Sequence, residues 1–214
     1  MSTNTNLPLI NEQYKSMVYL AAFATGVAVT AVLSPWEATR IIGTTVLTGV
    51  SYGVANDMIA CRDCIEYFTV GHQYDAQNLR NRPLNTLNPT LNAIAWGMIA
   101  TWHVCAVAGV VLAAIARTPF PGMALKITAA QLAPVLIIGA LATFVFAHIS
   151  SRIAQKKMQD HPHQKYWGVP TEFQAGWEAC NIRNSAGYSA LAIGGLLLSI
   201  GMVAVRAGVL ERIR

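Results

Sequence analysis

The densest run of residues able to do chemistry lies between Tyr52 and His72: Tyr52-Gly53, Asn56-Asp57, Cys61-Arg62-Asp63-Cys64, Glu66-Tyr67-Phe68-Thr69 and Gly71-His72. Helical spacing puts Asp57, Cys61 and Cys64 at i, i+4 and i+7, so a carboxylate and two thiols share one face. Glu66, nine positions past Asp57, points to the opposite side unless the helix ends first, and His72, behind Gly71, can fold back from a loop. Two carboxylates and an imidazole suit Zn, Fe or Mn, and an open coordination position on such an ion activates water or oxygen. The expectation is a divalent metal held by Asp57, Glu66 and His72, with Asp57 and Glu66 as the candidate acid/base groups. A plainer reading of the same residues is a set of salt bridges, Asp57 with Arg62 or Arg183 and Arg62 with Glu66 at i, i+4.

Other chemistry-bearing residues give weaker signals. A lone Cys61-x-x-Cys64 lacks the second pair or thioredoxin-like context that zinc or redox chemistry needs, so a structural role is expected. His103 and His148 are the candidates for a haem or other cofactor, but counting along their apolar runs sets their depths roughly 12 Å apart at about 1.5 Å per residue, which disfavours one bis-histidine haem. His161-Pro162-His163 reads as a solvated turn. Asn184 and Tyr188, at i and i+4 entering the last apolar run, are expected to hydrogen-bond to another helix and to orient the Asp57 cluster.

What must position these groups is a set of apolar segments. Of 214 residues 54% are hydrophobic and 12% charged, against about 25% charged in a soluble domain. Five stretches lack Asp, Glu, Lys and Arg: Ser16 to Trp36, Ile41 to Asn56, Pro83 to Ala116, Ile127 to Ser151 and Asn184 to Val205. A membrane-spanning helix takes about 20 mostly apolar residues, and all but the second of these stretches meet that length outright. The second reaches it only by carrying Asn56 and Asp57 to its far edge.

The expected spans are 17–33, 41–61, 91–116, 129–151 and 186–205, with polar segments 62–90 and 152–185, in one transmembrane domain covering 1–214. The polar start, Met1 to Ser16, has no signal-peptide pattern, so the first apolar run is expected to remain as a span.

The net charge of +5 sits at the ends of these runs and marks topology rather than nucleic-acid binding. With five spans, nine Lys and Arg collect on the face bearing both long polar segments and six on the other, which places the N-terminus in the cytoplasm. Four cysteines are too few for a disulfide scaffold.

The run Tyr52-Gly53, Asn56-Asp57, Glu66-Tyr67-Phe68-Thr69 and Gly71-His72 resembles a family of uncharacterised bacterial multi-pass membrane proteins with a Tyr-Gly-x-x-His-Asp-Gln pattern followed by Glu-Tyr-Phe-Thr. Ala100-Thr101-Trp102 and Asn184-Ser185-Ala186-Gly187-Tyr188 are similar to that family's Ala-Thr-Trp-Trp and His-Asn-Ala-Ser-Tyr. The resemblance runs from about Gly49 to Gly195 and implies a shared architecture and a common polar site in a bacterial plasma membrane, not a reaction. This chain has Asn56 and Asn184 where the family pattern has histidines.

The sequence therefore reads as all-α, an integral membrane helical bundle of four to five transmembrane helices, with a polar, metal-binding site at one face serving a membrane-embedded enzyme. A non-catalytic subunit of a larger membrane complex, or a homo-oligomer, is the alternative, and a small transporter or channel component the third. The lipid bilayer is the partner common to all three.

Overall fold

The computed structural model describes residues 35–74, 87–119, 121–123, 125–166 and 168–209, with the side chains of 35 and 70–74 left out of the description. The expected span 17–33 lies outside them. Among the described residues the chain is all-α: α1 (Pro35–Asp63), α2 (Ile65–Tyr74), α3 (Pro89–Arg117), α4 (Ala129–Asp160), a 3-10 turn (Thr171–Phe173) and α5 (Gln174–Arg206).

Local chemistry sets the helix starts. Pro35 and Pro89 stand at first helical positions, where a missing N–H costs nothing. The Asn88 carboxamide oxygen accepts from the Thr90 and Leu91 amides at 2.9 and 3.2 Å. Thr128 and Gln131 form a reciprocal capping box on α4. Thr118 is extended ahead of Pro119, which stops α3.

α3, α4 and the 3-10 turn with α5 each hold an apolar stretch long enough to cross a bilayer, with mean hydropathy 2.1, 2.2 and 2.0. α1 has the same length as α3, 29 residues, but carries Glu37, Arg40, Asp57, Arg62 and Asp63. The apolar faces of α4 and α5 point outward, with Ile138, Leu141, Leu196 and Leu197 each more than 60% exposed. Such contiguous apolar surface is untenable in water and is the natural contact of lipid. The molecule is a multi-pass membrane protein.

α1 and α3 run antiparallel in close contact. Thr45, Gly49 and Gly53 on α1 meet Gly109, Cys105 and Thr101 on α3 in that order. Small residues spaced by four let two backbones approach, the packing favoured between helices in lipid. At Gly97 a Cβ atom would stand 2.6 Å from the Cα of Val54, so only glycine fits.

Two apolar cores close the ends of the bundle. One joins Ala38 and Ile41 of α1 to Leu112 and Ala116 of α3, Leu132 of α4 and Met202 of α5. The other joins Ala60 and Cys61 to Phe68, Trp96 and Cys180. The helices outrun the apolar spans. α4 continues to Asp160, and α5 starts at Gln174, so much of the expected polar segment 152–185 is helix standing clear of the apolar stretches.

Candidate functional site

The polar site forms at the end of the bundle where α1 breaks into α2. The break falls at Cys64, opposite Gly176 of α5, where a Cβ atom would lie 2.7 Å from the Asp63 carbonyl oxygen. Asp57 and Cys61 on α1 and Cys64 at the break are all buried, as their i, i+4, i+7 spacing leads one to expect. The helix ends before Glu66, which removes the geometric objection to its approach. Glu66 Oε2 accepts from the Cys64 thiol at 3.5 Å.

Two carboxylates six residues apart on α1 have different company. Asp63 is held by Arg152 of α4 at 3.0 Å and by Arg183 of α5 at 2.8 Å. Arg183 is wholly buried and also lies 3.1 Å from His148 Nδ1. Four ionisable groups from three helices thus form one network, and the Arg183 Nε has no partner within it.

Asp57 is also buried, yet among the described residues it has no ion pair. The Asn56 amide donates to Asp57 Oδ1 at 3.1 Å and to Asn184 Oδ1 at 3.1 Å. The Asn184 amide in turn reaches the Tyr67 hydroxyl of α2 at 3.5 Å. The Tyr52 hydroxyl sits over Gly187, and both it and Tyr188 lie within electrostatic reach of Asp57. Asn56 Oδ1 is buried without a partner. The result is a carboxylate among amide and phenol groups from α1, α2 and α5.

The expected pairing of Asp57 with Arg62 or Arg183 does not occur among the described residues. Arg183 is committed to Asp63, and Arg62 turns outward to the Met58 carbonyl at 2.5 Å and the Thr90 hydroxyl at 3.1 Å. Asn184 is brought to the cluster as expected of its position. Tyr188 is half exposed at its edge. His72 lies on α2 with its side chain outside the described set, and no three His, Cys, Asp or Glu side chains converge at metal distance among the described residues. His103 is exposed and bonds the Ile99 carbonyl of its own helix, far along the bundle from His148.

Beside this site a second polar knot ties the α4–α5 connection to α5. Lys165 Nζ meets both Glu178 oxygens at 2.8 Å, and the Tyr166 hydroxyl donates to Glu178 while accepting from Asn181. Trp177 packs between Tyr166, tilted at 6.3 Å between ring centroids, and Tyr67, edge-on at 5.2 Å, and so joins this knot to the Asp57 cluster. Sequence reading missed Tyr67 and this knot. Tyr67 was in plain view inside the Glu66 to Thr69 block, but the partners of Glu178 lie 12 and 13 residues away across a loop.

Comparison with protein-family models, with curated proteins and with solved structures finds no match to this chain. The geometry of the cluster therefore carries the functional argument alone.

Proposed function

We propose that this chain is a multi-pass membrane protein in which α1 crosses beside the three apolar helices and the Asp57 cluster is a cation-binding centre at one membrane face, serving a membrane-embedded enzyme. The observation that carries this reading is the division of labour between the two carboxylates. Arg152 and Arg183 bond to Asp63, while Asp57 has no ion pair among the described residues and meets Arg183 only through space, and an intramembrane carboxylate without a paired counter-charge is expensive unless a cation or proton supplies it. In this reading Asp57 is a ligand or acid/base group, Glu66 and His72 are supplied by α2, and Asn184 and Tyr188 orient them. An oxygen-rich donor set with one imidazole suits Mn, Fe or Zn.

Thermal unfolding in detergent with added Mn²⁺, Zn²⁺ or Fe²⁺ and with a chelator tests it. A bound ion at about 100 times its Kd stabilises the wild type by about 2.7 kcal/mol, and Asp57→Ala and His72→Ala lose that gain. A wild type indifferent to all three ions and to the chelator refutes it.

A second reading, a non-catalytic subunit of a larger membrane complex, is favoured by the Asp63–Arg152–Arg183–His148 network, whose groups are spent on joining helices. Native-gel migration of gently solubilised membranes separates the two. A complex much larger than the chain supports the second, and a lone monomer counts against it. The face bearing Arg152, Lys156, Lys157 and Lys165 is assigned to the cytoplasm on charge.

A further inference from the structure

α4 presents one continuous outward face whose chemistry changes along its length. Ile138, Leu141, Ala142, Val145, Phe146 and Ile149 line an open groove with no polar side chain in it. The same face continues past the bilayer-length apolar stretch. Helical geometry of about 100° per residue returns Lys156 to the azimuth of Ile138 after five turns, with Arg152 and Lys157 to either side. Lys156 and Lys157 are exposed, and no hydrogen bond or ion pair engages their side chains among the described residues. Arg152 divides its guanidinium between Asp63 and Gln155 and leaves its side chain 44% exposed. Asp160 is the one acidic residue on this extension, since Glu178 is already taken by Lys165.

We propose that this face is a binding site for one anionic phospholipid, an acyl chain lying in the Ile138–Ile149 groove and the headgroup phosphate meeting Lys156 and Lys157. Charge complementarity selects this occupant. From Ile149 to Lys156 is seven residues, about 10 Å along the helix, the step from acyl region to headgroup. Lysine stems lie along apolar surface while their ammonium groups reach the phosphate level. A zwitterionic lipid brings the same phosphate, but its quaternary ammonium offsets that charge and weakens its hold on the lysines.

The test is lipid binding to the full-length, delipidated protein in neutral detergent, read by native mass spectrometry with phosphatidylglycerol and phosphatidylcholine of the same chains. The wild type retains phosphatidylglycerol about tenfold better, and the preference shrinks as salt rises. Lys156→Gln/Lys157→Gln brings phosphatidylglycerol down to the phosphatidylcholine level, Ala142→Trp weakens both lipids, and Lys126→Gln at the opposite end changes neither. An unchanged preference in the double lysine variant overturns the proposal, as does equal binding of both lipids by the wild type. So does a loss of preference in Lys126→Gln, which would mark bulk charge, or a protein subunit found on this face in the native membrane.

Discussion

At the scale of single residues, Asp57 and Asp63 make opposite demands on the fold. Asp63 compensates a wholly buried arginine, so Asp63→Ala leaves Arg183 uncompensated and lowers stability by about 3–5 kcal/mol, measured by denaturant titration in detergent. With bound ions removed by a chelator, Asp57→Asn keeps the shape and removes a charge that has no ion pair among the described residues, so the same titration moves by less than about 1.5 kcal/mol. Equal losses in both variants would contradict the division of roles. The chain itself hinted at only half of this: the spacing of Asp57, Cys61 and Cys64 announced a shared buried face, but nothing local told which carboxylate Arg183 would choose. That choice is made by the register of α5 against α1, 120 residues away.

The knot around Glu178 has a pH signature. Hydrogen bonding to Glu178 holds the Lys165 ammonium above its ordinary value of 10.5, and burial, then the bond to Glu178, raises Tyr166 above 10.0. Both groups bind their protons more tightly folded than unfolded. Their contribution is therefore whole below about pH 10 and is lost as pH rises through the folded values. Protection of the connection around 161–173 against hydrogen exchange, taken relative to the intrinsic base-catalysed rate at each pH, is expected to fall above about pH 10 in the wild type and to be low already at neutral pH in Glu178→Gln.

At the scale of elements, the α1–α3 seam is the tightest joint. Gly97→Ala forces a Cβ atom to 2.6 Å from Val54 backbone and costs roughly 1–3 kcal/mol, with the two helices displaced outward. Thermal unfolding in detergent reads the stability cost. The last apolar run ends at a cation, Arg206, where the sequence alone suggests a solvated terminus. Instead Arg206 is buried and donates to the Ile115, Thr118, Met123 and Leu125 carbonyls, holding the α3–α4 connection closed. Arg206→Gln is expected to cost about 3 kcal/mol, since several carbonyls lose a charged donor at once.

Element existence was legible because lipid demands long unbroken apolar runs, which charge-free stretches reveal directly. Helix ends were not. α4 and α5 continue past those runs on tertiary contacts, the Arg152–Asp63 ion pair and the Gln174 bonds to Tyr166 and Val169 among them.

At the scale of the whole molecule, polarity is inverted relative to a soluble bundle. Charged groups such as Arg183 and Arg206 are inside, while Ile138, Leu141, Leu196 and Leu197 of α4 and α5 are outside. The composition made the membrane legible, because 12% charge over 214 residues cannot coat a soluble surface. The cluster was legible as a list of residue types, but its membership depended on three helices meeting at one end. Topology follows from the same asymmetry of charge: single-cysteine labelling at Lys157→Cys is expected from the cytoplasmic side and at Lys126→Cys from the other, with reversal contradicting the assignment.

The account turns on whether Asp57 holds a cation. Elemental analysis of the purified wild type beside Asp57→Asn measures this most directly. About one Mn, Fe or Zn ion per wild-type chain and none in the folded variant is the expected result. A metal-free wild type, or the same metal content in both, would contradict it.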